Sequence, residues 1–181
     1  MGDNSTLEAT AAALWGWLVP AGWSVITGRR SAGDQFGGAI LPYLGTTFST
    51  AATLSQLDLM VARPDSEVPL IVEILARPTP PDRILGIATN VLMADGIRYR
   101  DANYSIVDTQ LLIGGVVADQ GPARLRLSAL EDRLNWAATA FAKQGRPRLA
   151  GVRIVTADDA GKLPDLILSE AKALVTLPKR R

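Results

Sequence analysis

Residues 54–77, LSQLDLMVARPDSEVPLIVEILAR, hold two short apolar runs, 57–62 and 70–76, around a polar, proline-bounded connection at 63–69. Each run has the length of a buried strand, and strands joined by so short a segment pair antiparallel as a hairpin. Each run also carries one acid, Asp58 or Glu73. Centring the loop near Ser66 brings these two carboxylates opposite each other across the strands. Facing like charges are unfavourable, and burial raises the cost. Two arrangements relieve the conflict. One acid can take an Arg partner while the other lies at a sheet edge, or a hard divalent cation can sit between two carboxylates.

Composition narrows the chemistry. The 181 residues contain no Cys and no His. Disulfides, thiolate sites, His-ligated zinc and Ser-His-Asp triads are therefore excluded, and any metal must be held by oxygen. Hydrophobic residues at 48% and charged residues at 20% describe an ordinary globular chain. A net charge of +1 gives no overall attraction to nucleic acid, so a basic surface would have to be local. No stretch is apolar for the roughly 18 residues of a membrane span. The polar, acidic N-terminus is unlike a secretory signal, so the expected location is cytoplasmic, with no membrane partner.

Ser5 and Glu8 fit a capping box for a first helix, whose stripe is Leu7, Ala11, Leu14 and Leu18, closed by Pro20 and Gly22. Trp15, Trp17 and Trp23 cluster around it as packing residues, because no basic residues are interleaved with them. A strand is expected at 23–27. The loop 28–38 follows, with four glycines and the pair Arg29 and Arg30, but without the Walker spacing. It reads as a surface loop, or as one in which Arg29 and Arg30 contact a nucleic-acid backbone. Residues 46–53 are a further candidate strand. After the hairpin, the proline-rich segment 77–82 breaks the chain, and Ile84, Ile87, Ala88, Val91 and Leu92 stripe a helix that Gly96 would cap.

Strands are expected near 97–100, 104–107 and 111–117, with Gly114 and Gly115 marking a bulge or a close approach. Residues 125–127 read as a short strand, and Ser128 with Glu131 as a second capping box. The helix it opens ends at Gly145, before a strand at 149–156 and a closing helix at 164–174. Asp158 and Asp159, being adjacent, suit a turn or a helix start. This order predicts a single α/β domain over 1–181: a mixed β-sheet with a central antiparallel hairpin, flanked by helices.

An Asp on one strand, a short turn and a Glu on the next apolar strand resembles the core of the PD-(D/E)XK nuclease superfamily, the restriction-endonuclease-like fold. The resemblance covers roughly residues 7–117, leaving a helix–strand–helix extension at about 125–177. It implies that Asp58 and Glu73 bind Mg²⁺ or Mn²⁺, helped by the backbone carbonyl of Ile74. In the family a Lys two residues after the Glu completes the site; here that residue is Leu75. The chain's lysines are Lys143, Lys162, Lys172 and Lys179, all far along the sequence. Gln56 shares the face of Asp58 and is either a water-orienting residue or an ordinary edge polar residue. Arg77 reaches the face of Glu73 if the strand extends that far, where it can stabilise negative charge but not act as a base, and with Arg29 and Arg30 it is expected to form a local basic patch that binds nucleic acid. Two functions follow: a divalent-metal-dependent nuclease-like protein with a degenerate site, or a catalytically inactive nucleic-acid-binding or assembly subunit. The expected partners are nucleic acid and either a second copy of the chain or another protein. An unrelated α/β interaction protein, with the acid pair accidental, is the third reading.

Overall fold

The computed structural model describes residues 4–28, 38–117, 122–145 and 149–177. In chain order these form α1 (Asn4–Leu18), β1 (Ser24–Thr27), β2 (Ile40–Tyr43), β3 (Leu59–Ala62), β4 (Leu70–Pro78), α2 (Pro81–Met93), β5 (Gly96–Tyr99), β6 (Ala102–Tyr104), β7 (Thr109–Val116), α3 (Pro122–Lys143), β8 (Leu149–Ala157) and α4 (Leu163–Leu174). Single 3₁₀ turns sit at Val19–Ala21, Thr50–Ala52 and Ala160–Lys162. The first of these closes α1 as the Pro20 and Gly22 signals require: Gly22 adopts φ 81° and its N–H bonds Val19 O.

The chain is α/β. A mixed five-stranded sheet has the order β1-β3-β4-β7-β8, and a three-stranded antiparallel sheet has the order β2-β5-β6. In the larger sheet β3 runs antiparallel to both β1 and β4, while β4, β7 and β8 are parallel. Both faces are covered, which explains why the hairpin reads as nearly continuous apolar runs. On one face Met60, Ile71, Leu75, Leu111 and Ile113 pack with Ile84, Ala88 and Val91 of α2, Leu127, Leu134 and Ala138 of α3, and Ile40 and Ile97 of the small sheet. On the other face Leu59, Val61, Leu70, Val72, Ile74 and Leu112 pack with Leu7, Leu14 and Leu18 of α1 and Leu163, Ile167 and Ala171 of α4. Residues beyond 125 thus add a fifth strand to the sheet and a helix to each face. No helix among the described residues is long and apolar enough to cross a membrane.

The hairpin pairs Leu59 with Val72, Met60 with Ile71 and Val61 with Leu70. Its turn is held by the Arg63 and Glu67 backbones, N to O at 2.9 Å, with Ser66 at φ 67°. β4 and β7 pair in step from Leu70 to Leu75, but the next pairing joins Pro78 to Val116 directly after Leu75 to Gly115. Ala76 and Arg77 are therefore extra residues on β4, a bulge after which pairing resumes at Pro78.

Several local expectations are corrected. Residues 46–53 form no strand; their regular part is the 3₁₀ turn Thr50–Ala52. Helix α1 begins at Asn4, so Ser5 lies within its first turn rather than ahead of it. Helix α2 ends at Ala94 in extended backbone, and Gly96 starts β5 instead of capping the helix. What Gly96 supplies is space, since a Cβ there would lie 2.7 Å from the Tyr43 hydroxyl. Gly114 likewise admits Ile167 of α4, whose Cδ1 would be 2.7 Å from an added Cβ. Helix α3 begins at Pro122, so residues 125–127 are helical and Ser128 is interior to the helix.

Glu131, freed from that capping role, works at the sheet edge. Asn135 exchanges two hydrogen bonds with the Val152 backbone, both 2.8 Å, and Glu131 Oε2 accepts from the Ile154 N–H at 2.6 Å. These α3 side chains satisfy the outward backbone groups of the edge strand β8. Asn135→Ala is expected to lower unfolding free energy by about 1–3 kcal/mol, because it leaves a strand donor and acceptor without partners. Urea titration checks this; an unchanged midpoint would contradict it.

Candidate functional site

Extending the hairpin register by one pair sets Asp58 directly against Glu73. Asp58 immediately precedes β3, and strand alternation turns both side chains to the α2 face. The two are buried, at 8% and 5% exposure. Their backbones and carboxylates interlock: the Asp58 N–H donates to Glu73 Oε1, and the Ile74 N–H donates to Asp58 Oδ2, each at 3.0 Å. Backbone donors to ionised oxygens offset much of the cost of bringing two carboxylates together out of water. The acids therefore do meet on one face, as the loop-centred register predicts.

The carboxylates sit in a cleft of about 250 Å³, lined also by Gln56, Leu75, Arg77, Thr79, Arg83 and Ile87. Arg83 and Ile87 place the first half of α2 along its wall. Strand β4 runs to Pro78, long enough for Arg77 to reach the cleft. Neither Arg77 nor Arg83 forms an ion pair among the described residues. Arg83 was not evident from sequence. Its only signal is position: it lies one turn before Ile87, on the helix row next to the buried stripe.

Gln56 lines the cleft, and its Nε2 donates to the Gly28 carbonyl. Gly28 in turn donates to Asp58 O at 2.7 Å. This contact explains the glycine, since a Cβ there would stand 1.8 Å from Leu57 O. Gln56 and Gly28 thus clamp the end of β1 against the backbone that carries Asp58. Arg29 and Arg30 follow directly in sequence, but they lie outside the described residues.

Other residues noted in the sequence fall elsewhere. Glu8 is exposed on α1, which packs on the opposite face of the sheet. Trp23 is buried with the Arg63 guanidinium 4.9 Å above its ring, and Trp15 is more than half exposed on α1. Asp159 accepts from Gly161 N, which fixes the 3₁₀ turn before α4, and Asp158 pairs with Lys162 at 2.8 Å. Hydrogen bonding and charge from Lys162 lower the Asp158 carboxyl below its ordinary range, a local effect far from the cleft. Lys143, Lys162 and Lys172 do not line the cleft, and Lys179 lies outside the described residues.

Among the described residues there is no cluster of three or more Asp, Glu, His or Cys side chains. A cation here would have two carboxylates, a backbone carbonyl such as that of Ile74, and water. That donor set is all oxygen and suits Mg²⁺ or Mn²⁺, since Mg²⁺ is commonly held by one or two carboxylates while keeping several waters. Comparison with protein-family models gives no match, and comparison with curated proteins finds no similar sequence.

Leu75 lies on the same face as Glu73, is 6% exposed, and packs in the core shared with α2 and α3. Leu75→Lys is therefore expected to lose several kcal/mol of stability, because the ammonium would be buried among apolar groups. A thermal or urea unfolding curve matching that of the parent would show that the new side chain escapes into the cleft.

Proposed function

We propose that this chain is a divalent-metal-dependent nuclease-like protein, acting on phosphodiester bonds of nucleic acid at the Asp58–Glu73 cleft, with a degenerate form of the PD-(D/E)XK site. The observation that carries this reading is the interlocked pair of buried carboxylates, opposite in register on one sheet face, beside two arginines that form no ion pair among the described residues. A protein with no use for paired buried acids avoids them. The hairpin followed by a helix folding back over the sheet is also the order that the resemblance implies.

In this reading Asp58 and Glu73, with the Ile74 carbonyl, hold the cation. A bound Mg²⁺ would polarise the phosphate and lower the pKa of coordinated water. Arg77 and Arg83 neutralise phosphate oxygens and the charge that develops on them, the part of the missing lysine's work that a guanidinium can do. Neither arginine can accept a proton. Gln56 and Gly28 hold Asp58 in place.

The burial of Leu75 favours the second reading, a catalytically inactive nucleic-acid-binding or assembly subunit. The third family position holds an apolar, largely buried side chain on the wall of the cleft, so a working site must do without an ammonium there. The two readings share metal binding and part on turnover.

Calorimetric titration with Mn²⁺ and Mg²⁺ is expected to show binding that falls at least about tenfold in Asp58→Asn and in Glu73→Gln, since one carboxylate anchors the cation poorly. If the chain is active, cleavage requires added metal and disappears in both variants. Cleavage in excess chelator refutes the metal mechanism. Metal binding without cleavage of single- or double-stranded substrates assigns the chain to the inactive form.

A further inference from the structure

Most of the described arginines divide by place. Arg63, Arg98 and Arg153 pair with carboxylates and Arg100 lies over the Tyr99 ring, whereas Arg77, Arg83, Arg126 and Arg133 form no ion pair among the described residues. The second set lies on both flanks of α2. Arg77 and Arg83 line the acid cleft on one flank, and Arg126 and Arg133 line a groove between α2 and α3 on the other. That groove has a volume of about 460 Å³, and its remaining lining includes Pro81, Leu85, Ala129 and Leu130. Asp82, also on its wall, is in the first turn of α2, where it complements the helix dipole.

Guanidinium groups without internal partners, spaced along a surface beside a phosphodiester site, suit a polyanion longer than one phosphate. The apolar groove floor suits a flat ring. Arg126 and Arg133 are two helical turns apart, so their heads stand about 10 Å from each other along α3. One turn beyond Arg133 is Trp136, 75% exposed, on the outward side of the same helix. Basic groups interleaved with an exposed aromatic and an apolar slot form a platform for unstacked bases. Bases inside a duplex cannot enter such a slot, because they are stacked and paired.

We propose that the α2–α3 groove is an extended binding site for single-stranded nucleic acid, which runs from the acid cleft across the N-terminal end of α2. Arg126 and Arg133 hold phosphates, the groove takes a base between Leu85 and Leu130, and Trp136 stacks on a neighbouring base. This rests on the nucleic-acid reading of the cleft and names its substrate form.

Fluorescence anisotropy on the 181-residue chain tests this, with a labelled 20-nucleotide oligo-dT and a 20-base-pair duplex in chelator, so that binding is read without cleavage. The parent is expected to bind the single strand at least about tenfold more tightly than the duplex. Arg126→Ala combined with Arg133→Ala should weaken single-strand binding about tenfold and flatten its log–log salt slope by about 1.4, the value for two lost phosphate contacts. Trp136→Ala should weaken it about fivefold or more without changing that slope. All three positions are exposed, and circular dichroism with a urea midpoint verifies the fold.

Equal binding of both substrates, or a double variant that binds like the parent, overturns the proposal. So does a Leu/Glu-rich amphipathic helical peptide that binds the parent but not the double variant while oligo-dT binding is untouched; the groove then belongs to a protein partner. Mn²⁺ titration separates the two failures. Metal binding at Asp58 with no groove dependence leaves the cleft reading intact, whereas groove-dependent single-strand binding with no metal binding removes the metal from the cleft and keeps the groove.

Discussion

Two backbone-to-carboxylate hydrogen bonds, Asp58 N–H to Glu73 and Ile74 N–H to Asp58, hold the centre of this molecule in a single register. A slip of one residue in either strand would carry that strand's acid to the opposite face, into the apolar packing of α1 and α4. It would also take Met60 or Ile71 away from α2. Pairing the acids and sorting the apolar residues between the two faces are therefore one constraint, met by one alignment. The buried charges make that alignment costly to leave.

The same constraint explains what lies around the hairpin. On the outer side of Asp58, Gly28 is pressed against the Leu57 carbonyl and tied by Gln56, so β1 braces the acid-bearing backbone. On the inner side, β4 stays in step with β7 until Leu75, bulges at Ala76 and Arg77, and pairs again at Pro78. The first helix beyond the hairpin, α2, follows directly. Site and fold are thus built from the same contacts, and damage to the brace reaches the acids through main chain alone.

Much of this was legible because it is local. Two apolar runs and a short polar turn specify a hairpin, and counting outward from the turn finds that Asp58 meets Glu73. Strand β1, helix α4 and strand β8 announced themselves by apolar runs with clear punctuation. The failures come from signals that tertiary context reassigns. Ser128 and Glu131 have capping spacing, but Pro122 starts the helix earlier and Glu131 serves the edge of β8 across a gap of 23 residues. Gly96 looks like a helix cap and is instead a seat for the Tyr43 ring. Arg83 and the α2–α3 groove were invisible for a related reason: a cavity between elements distant in sequence leaves no periodic trace. Arg29 and Arg30, the basic pair read most easily from sequence, lie outside the described residues.

The two residues by which β4 outruns β7, Ala76 and Arg77, have a further consequence. Because the bulge is bounded by pairing on either side, at Leu75 and Pro78, the main chain at position 77 is set without help from its own side chain. Charge there can be reversed, removed or lengthened while the backbone around it keeps its course. The electrostatic character of the cleft and the shape of its strand wall are in this way separately adjustable.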